Sequence, residues 1–329
     1  MTLTRFAKFA WGALAYNLLV IVWGAYVRAS GSGAGCGAHW PLCNGVVVPR
    51  AAAVKTLVEF SHRLSSGLVL VIAVAMVIMA FRSYPRGSIV RKGAVAVLVL
   101  TIAEALIGAG LVLFELVAHD TSIKRALSMS LHLVNTFFLL GALTLTAHWA
   151  SRASDEDEAQ GSASASPSAT KAALALRVML IVTAAALLLS AMSGGIAALG
   201  DTLFPATSFA EGFRQEMSTG AHVFLRLRIL HPAFAITSSL LALGTSVMSR
   251  AVCHAPDVAR WSRIVTSLVI AQLVLGLANV ALLAPIPIQL LHLLLADFVW
   301  IAFMMLYGRL RSLDYVLRTT RFLPPRLAS

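Results

Sequence analysis

Residues 59–81 read EFSHRLSSGLVLVIAVAMVIMAF. Apart from Glu59, His62, Arg63 and three serines the run is apolar, and a helix needs about 20 such residues to cross the hydrocarbon core of a bilayer. Seven further runs of the same kind lie on either side of it. Candidate spans fall at 9–27, 60–81, 93–113, 126–149, 172–198, 229–248, 264–284 and 288–306. Of the 329 residues, 59% are hydrophobic and 12% charged, about half the charged share of an ordinary globular chain. A soluble fold of this length has too little interior to hide so much apolar surface. A transmembrane β-barrel would need short segments of alternating polarity in place of continuous runs. The expected fold class is an all-α membrane protein with eight transmembrane helices.

The formal net charge is +12, and its distribution is informative. With the N-terminus inside, most Lys and Arg residues fall in cytoplasmic segments, among them Arg82, Arg86, Arg91 and Lys92 after the second span and Arg309 and Arg311 after the eighth. That is the positive-inside pattern, and it puts both termini in the cytoplasm. Such charge orients the chain and meets membrane lipids with anionic headgroups, which leaves no need for nucleic acid as a partner. The first apolar stretch is too long for a signal peptide and no small-residue cleavage site clearly follows it. An Arg- and Ser-rich, acid-poor transit sequence is also missing. The expected location is a prokaryotic plasma (inner) membrane, crossed many times, with the first span retained.

Near the midpoint, Asp155-Glu156-Asp157-Glu158 leads into a Gly/Ser/Ala/Pro-rich tract, a composition that buries too little apolar area to offset ordering entropy. On either side of it the sequence repeats. EFSHRLSSGLVLV is echoed by RILHPAFAITSSL, IAEALIGAGLVL by IAQLVLGLANVAL, and LHLVNTFFLLGALTL by LHLLLADFVWIAFMM. The predicted organisation is an N-terminal four-helix bundle at 1–150, a cytoplasmic linker at 151–171, a C-terminal four-helix bundle at 172–308 and a basic tail at 309–329. Each repeat holds an even number of spans, so the two share one orientation and are expected as tandem, pseudo-twofold-related bundles.

Histidine gives the repeat its chemical content. His62, His132, His231 and His292 lie inside apolar spans, each near the start of an even-numbered one and at matching points of the two repeats. All four imidazoles therefore sit toward the outer leaflet. An ionisable side chain in a span is costly without a partner and marks a functional candidate; taken singly, a histidine also serves as polar glue between helices. Zinc and copper sites usually add Cys or carboxylate ligands and a hydrophilic route, so zinc is not expected. Paired imidazoles in an apolar bundle better suit heme, with iron held axially and the ring in a greasy slot. Ser65, Ser66, Gly67, Gly108, Ala109 and Gly110 are small enough to line such slots, or simply to pack helices closely. Arg28, Arg63, Arg226 and Arg228 flank the same level and suit heme propionates, which guanidinium grips in two-pronged fashion. Snorkelling to lipid phosphates is the alternative.

Some features belong to one repeat alone. Glu59 stands one helical turn before His62, whereas Arg228 occupies the matching place in the second repeat. It either faces the histidine's cavity or caps the positive end of the second span. The asymmetry suggests that one site performs chemistry and the other supports it. Glu104 and Asp297 lie deeper and are expected to be hydrogen-bonded structural groups. Cys36 and Cys43, in the outer loop GSGAGCGAHWPLCNG, are compatible with a disulfide on an oxidising side; the matching loop GGIAALGDTLFPATSF has no cysteine. His39, His119, His148, His222 and His254 are expected to be solvated or interfacial. Pro232, next to His231, fits either a helix start or a kink.

Together these residues resemble the heme A synthase family. The resemblance covers nearly the whole chain and is most specific at GAYVRASGSGAGC, WPLCNG and EFSHRLSSG. It implies a membrane heme-modifying oxidoreductase that oxidises the C8 methyl of heme O to the formyl of heme A, for terminal oxidase (cytochrome oxidase) biogenesis. It implies that His62 and His132 bracket the iron of the substrate heme, that His231 and His292 ligate the iron of a resident heme b, that Glu59 is the catalytic acid, and that Cys36 and Cys43 form the loop's thiol pair. Implied partners are heme O, the heme O synthase that supplies it, an unidentified electron donor and terminal oxidase assembly factors. Two rival readings are a diheme b-type electron-transfer protein, which needs no Glu59 asymmetry, and a heme carrier.

Overall fold

A computed structural model describes residues 3–50, 53–152 and 167–319. The chain is all-helical there: α1 (Arg5–Ala29), α2 (Val54–Ser83), α3 (Ile89–Leu113), α4 (Ile123–Arg152), α5 (Pro167–Leu203), α6 (Phe209–Met217), α7 (Val223–Arg228), α8 (Leu230–Val252), α9 (Pro256–Ala281) and α10 (Ile286–Thr319). Eight stretches are long and apolar enough to cross a membrane, with α7 and α8 together forming the sixth. Leu19, Val71, Leu106 and Leu277 point away from the protein and are well exposed, as side chains facing lipid do. The chain is a multi-pass membrane protein.

Local chemistry sets the helix ends. Thr4 accepts a hydrogen bond from the Ala7 N–H at the start of α1, and Ser88 does the same for Val90 at α3, each satisfying an orphan donor of the first turn. α2 stops at Ser83 because Tyr84 precedes Pro85, whose ring pushes the preceding residue into extended backbone. In α6 the Ser208 hydroxyl accepts from the Glu211 N–H while Glu211 accepts from the Thr207 hydroxyl and N–H, close to a capping box. Those bonds hold the Glu211 carboxyl below its usual range.

The sixth span is broken at Ile229, between α7 and α8. Pro232 has no N–H to bond the Arg228 carbonyl one turn back, so the helix cannot run through continuously. Pro232 thus sits in the first turn of α8, the site where a proline costs least.

Helix neighbours fall into two sets. In the first, α1 packs on α2 and α4, and α3 packs on α2 and α4; in the second, α8 packs on α5 and α9, and α9 on α10. The sets meet where α4 lies against α5 and α10, and α1 against α10. Phe137, Leu140, Leu143, Trp300, Phe303 and Leu306 fill that seam. The Trp300 indole donates to the Phe137 carbonyl at 2.7 Å, so its N–H is not left orphaned in the apolar interior.

The expected linker at 151–171 overlaps two helices at its ends. Ser151 and Arg152 close α4, residues 167–171 open α5, and 153–166 lie outside the described residues. The expected tail at 309–329 begins as a continuation of α10, and 320–329 also lie outside the described residues.

Candidate functional site

Each of the four intramembrane histidines rests on a glycine of a neighbouring helix. A Cβ built on Gly24 of α1 would lie 2.8 Å from His62 Cε1, and one on Gly194 of α5 would lie 2.9 Å from His231 Cε1. On Gly276 of α9 it would stand 3.1 Å from His292 Cε1, and on Gly108 of α3 3.8 Å from His132 Cε1. Contacts under about 3 Å leave no room for a side chain, so the missing Cβ is what lets those rings lie against the neighbouring backbone. The glycines repeat with the histidines: Gly194 follows Gly24 by 170 positions and Gly276 follows Gly108 by 168, against 169 from His62 to His231. Of these four, only Gly108 is named by composition alone. The periodicity of the glycines was the available signal.

The second pair is well defined. The His231 and His292 rings stand 6.5 Å apart between centroids and 85° to each other. Ser193 Oγ lies 3.0 Å from His231 Nδ1. The Gln272 amide donates to the His292 carbonyl at 3.1 Å, with its nitrogen 3.4 Å from His292 Nε2. The first pair is His62 of α2 and His132 of α4. His132 Nδ1 stands 3.3 Å from Glu104 Oε1, within ion-pair reach but not aligned as an N–H hydrogen bond. The Nδ1 atoms of His62, His132 and His292 are buried without a hydrogen-bond partner among the described residues.

Glu59 does not cap α2, whose first residue is Val54. It is buried, and both its oxygens are engaged. Arg63 reaches Oε1 through Nε at 3.1 Å and Nη2 at 2.5 Å, and the Cys36 N–H donates to Oε2 at 2.8 Å. Arg63 also donates to the carbonyls of His39 and Leu42 at 2.5 and 2.7 Å. Cys36 and Cys43 form a disulfide with an S–S distance of 2.02 Å. Glu59 and Arg63 thus tie the cysteine loop to the helix that carries His62.

The other arginines face different partners. Arg28 reaches across to the second set of helices, donating to the Ala198 carbonyl and Thr202 Oγ1 at 2.8 Å each and to Gln289 Oε1 at 3.1 Å. Arg228 pairs with Asp201 at 2.8 Å and Glu216 at 2.6 Å, while Arg226 donates to the Thr219 carbonyl at 2.7 Å. Ser65 and Ser66 bond back to the His62 carbonyl, and a Cβ on Gly67 would meet nothing within 4 Å.

Three expectations need correction. Asp297 is fully buried, and neither carboxylate oxygen has a hydrogen-bond partner among the described residues. It lies on the α10 stripe that also carries Gln289 and Trp300, both bonded to the first set of helices, so its position was chosen by the seam. His148 is 1% exposed, because Gly308 of α10 leaves room for its ring. His222 caps α7, accepting from the Phe224 N–H at 3.3 Å, and packs between the rings of Phe204 and Phe224.

Eight apolar spans, with imidazoles from α8 and α10 meeting across the second set of helices, define a multi-pass helical membrane protein with a paired-histidine site. The chain belongs to the COX15-CtaA family, described as cytochrome oxidase assembly protein, whose model matches residues 7–304. It is 44% identical over 303 residues to a protein of Thermus thermophilus named protoheme IX farnesyltransferase, covering 92% of this chain and 48% of that one. The chain thus spans about half the length of that relative. Heme A synthases of Alkalihalophilus pseudofirmus and Bacillus cereus are 41% and 38% identical over 97 residues, which is 30% of this chain and 33% and 31% of theirs.

Proposed function

We propose that the chain is a heme A synthase, oxidising the C8 methyl of heme O to a formyl group in a prokaryotic plasma membrane, with the disulfide loop on the outer side. The observation that carries this reading is the glycine-backed histidine pair, present twice, with the Glu59 arrangement in one copy only. The 6.5 Å between the His231 and His292 ring centres would let both imidazoles hold one porphyrin iron. The buried, unpartnered ring nitrogens of His62 and His292 and the apolar surroundings would suit a porphyrin iron better than a bare ion with carboxylate ligands.

On this reading His231 and His292 hold a resident heme b, and His62 with His132 bracket the substrate. A bound heme b would supply one-electron transfer. The chain's own residues do the rest. Ser193 fixes the orientation of the His231 ring, as supporting hydrogen bonds do for metal-bound imidazoles. The glycines set the ring depth. Glu59, held by donors on both oxygens, acts as a fixed negative charge beside the substrate's electron-poor carbon as the methyl passes through the alcohol to a hydrated aldehyde that loses water, the four electrons going to an oxidant from outside the chain. Preorganised charge of this kind needs no rearrangement during reaction. The Thermus thermophilus relative, named for farnesyl transfer to protoheme, supports a partner enzyme of that class that supplies farnesylated heme. An electron donor and oxidase assembly factors complete the proposed set.

The test is to express the chain with a heme O source, extract the pigments and weigh them by mass spectrometry. Heme A supports the proposal; heme O recovered unchanged refutes it.

A narrower expectation concerns the shelf. Gly194→Ala puts a methyl where His231 is pinned between Ser193 and the α5 backbone. Overpacking of this kind costs about 1–3 kcal/mol, so heme retention per purified chain should fall roughly 5- to 150-fold. Gly67→Ala, in open space, should leave it unchanged.

A further inference from the structure

The two histidine pairs are not equivalent, and the difference lies outside the ligands. Glu104 of α3 and Gln272 of α9 occupy matching places, 168 positions apart, and each stands against the histidine of the next span: Glu104 3.3 Å from His132 Nδ1, Gln272 3.4 Å from His292 Nε2. Around Glu104 there is a polar clamp. Asn135 Nδ2 donates to Oε2 at 2.5 Å and to the Leu100 carbonyl at 2.9 Å, and the Thr136 hydroxyl bonds Oε1. The residues 160 positions later, the offset from His132 to His292, are Leu295 and Ala296. The clamp is therefore built in the first repeat alone, around a carboxylate, and the second repeat has a neutral amide with no clamp.

We infer that Glu104, 3.3 Å from His132 Nδ1, is a positioning residue that takes the Nδ1–H once the other ring nitrogen holds iron, and that it sets the first site at a lower reduction potential than the second. This rests on the proposed role of His132 as an iron ligand. An imidazole that donates its far N–H to a carboxylate is a stronger electron donor through its other nitrogen. Stronger axial donation stabilises ferric over ferrous iron and lowers the potential. Gln272 spends its N–H on the His292 carbonyl and brings no charge, so His292 lacks that push. His132 Nδ1 is buried with no hydrogen-bond partner among the described residues, and Asn135 with Thr136 holds the Glu104 carboxylate 3.3 Å from it. The consequence is directional: an electron shared between the two sites settles on the second before the first.

The test is a spectroscopic redox titration of the full-length chain loaded with iron protoporphyrin IX. His132→Ala identifies the wave belonging to the first site. Glu104→Gln keeps the side-chain length and one of the two acceptor oxygens that Asn135 and Thr136 use but removes the charge. It should raise the ferrous-to-ferric ratio of that wave at least tenfold at a fixed potential, ~59 mV for one electron, and leave the other wave in place. Gln272→Glu should move the second wave the opposite way, and Asn135→Leu should produce part of the Glu104→Gln shift. A purely structural Glu104 would lower thermal stability without moving the first wave, and that result overturns the inference while leaving the ligand assignment standing. If His132→Ala removes no wave, the assignment itself fails, and the inference with it.

Discussion

Replacing His292 with alanine should strip the second set of helices of its porphyrin. Loss of a hydrogen-bonded supporter of a metal ligand commonly costs 10- to 100-fold in affinity, and loss of the ligand itself should exceed that range. His231 and His292 face each other at 6.5 Å and 85°, so no neighbouring imidazole replaces the one removed, and Gln272 offers only an amide at that position. His231→Ala should do the same, leaving the Gly194 shelf empty. Pyridine hemochrome absorbance per chain, together with the masses of the extracted pigments, reads the result. Both variants should retain the first-site pigment, because α2 and α4 carry their own pair. Full heme content in either variant would refute the assignment of the second pair.

Most of the architecture was written in residue order. Apolar runs near the length of a bilayer core can only be helices there, since a lipid-exposed strand would leave its backbone unpaired. The break at Ile229 was half-visible, because Pro232 declares a missing donor but not whether the preceding turn survives as a separate helix. The histidines were legible because a polar ring in an apolar run is costly and four at matched positions are hard to attribute to packing. Their glycine shelves were less so: a glycine in a span has many uses, and only the contact with the imidazole selects one.

Contacts between elements distant in sequence were the part that periodicity could not supply. Arg28 lies level with the first site, yet its long side chain crosses to α5 and α10, a choice that depends on how the two sets of helices sit together. His148 reads as interfacial from its place near a helix end, but a glycine 160 positions away opens a buried niche for it. Glu104 reads as one polar group among several. It becomes a partner of His132 only when α3 and α4 are packed side by side, and its difference from Gln272 acquires meaning only through that contact.

Glu59→Ala should abolish heme A formation, with a loss on the order of the 10²–10³ that follows removal of a preorganised charge-stabilising group, while both pigments stay bound. The structure adds a second expectation that separates this charge from its scaffolding. Glu59 and Arg63 are 4% and 12% exposed at the side chain, and removing one partner of a buried pair costs about 3–5 kcal/mol. The Cys36 N–H, which now donates to Oε2, would also be orphaned, and Arg63 would lose the anchor that lets it hold the His39 and Leu42 carbonyls. The loop should therefore loosen, and the buried Cys36–Cys43 disulfide should become reducible by mild thiols and open to maleimide labelling. Glu59→Gln keeps an acceptor for Cys36 without the charge, so it should protect the disulfide better than alanine does yet fail equally in turnover. If glutamine restores heme A along with the closed loop, Glu59 works by holding the loop and its charge has no part in the oxidation.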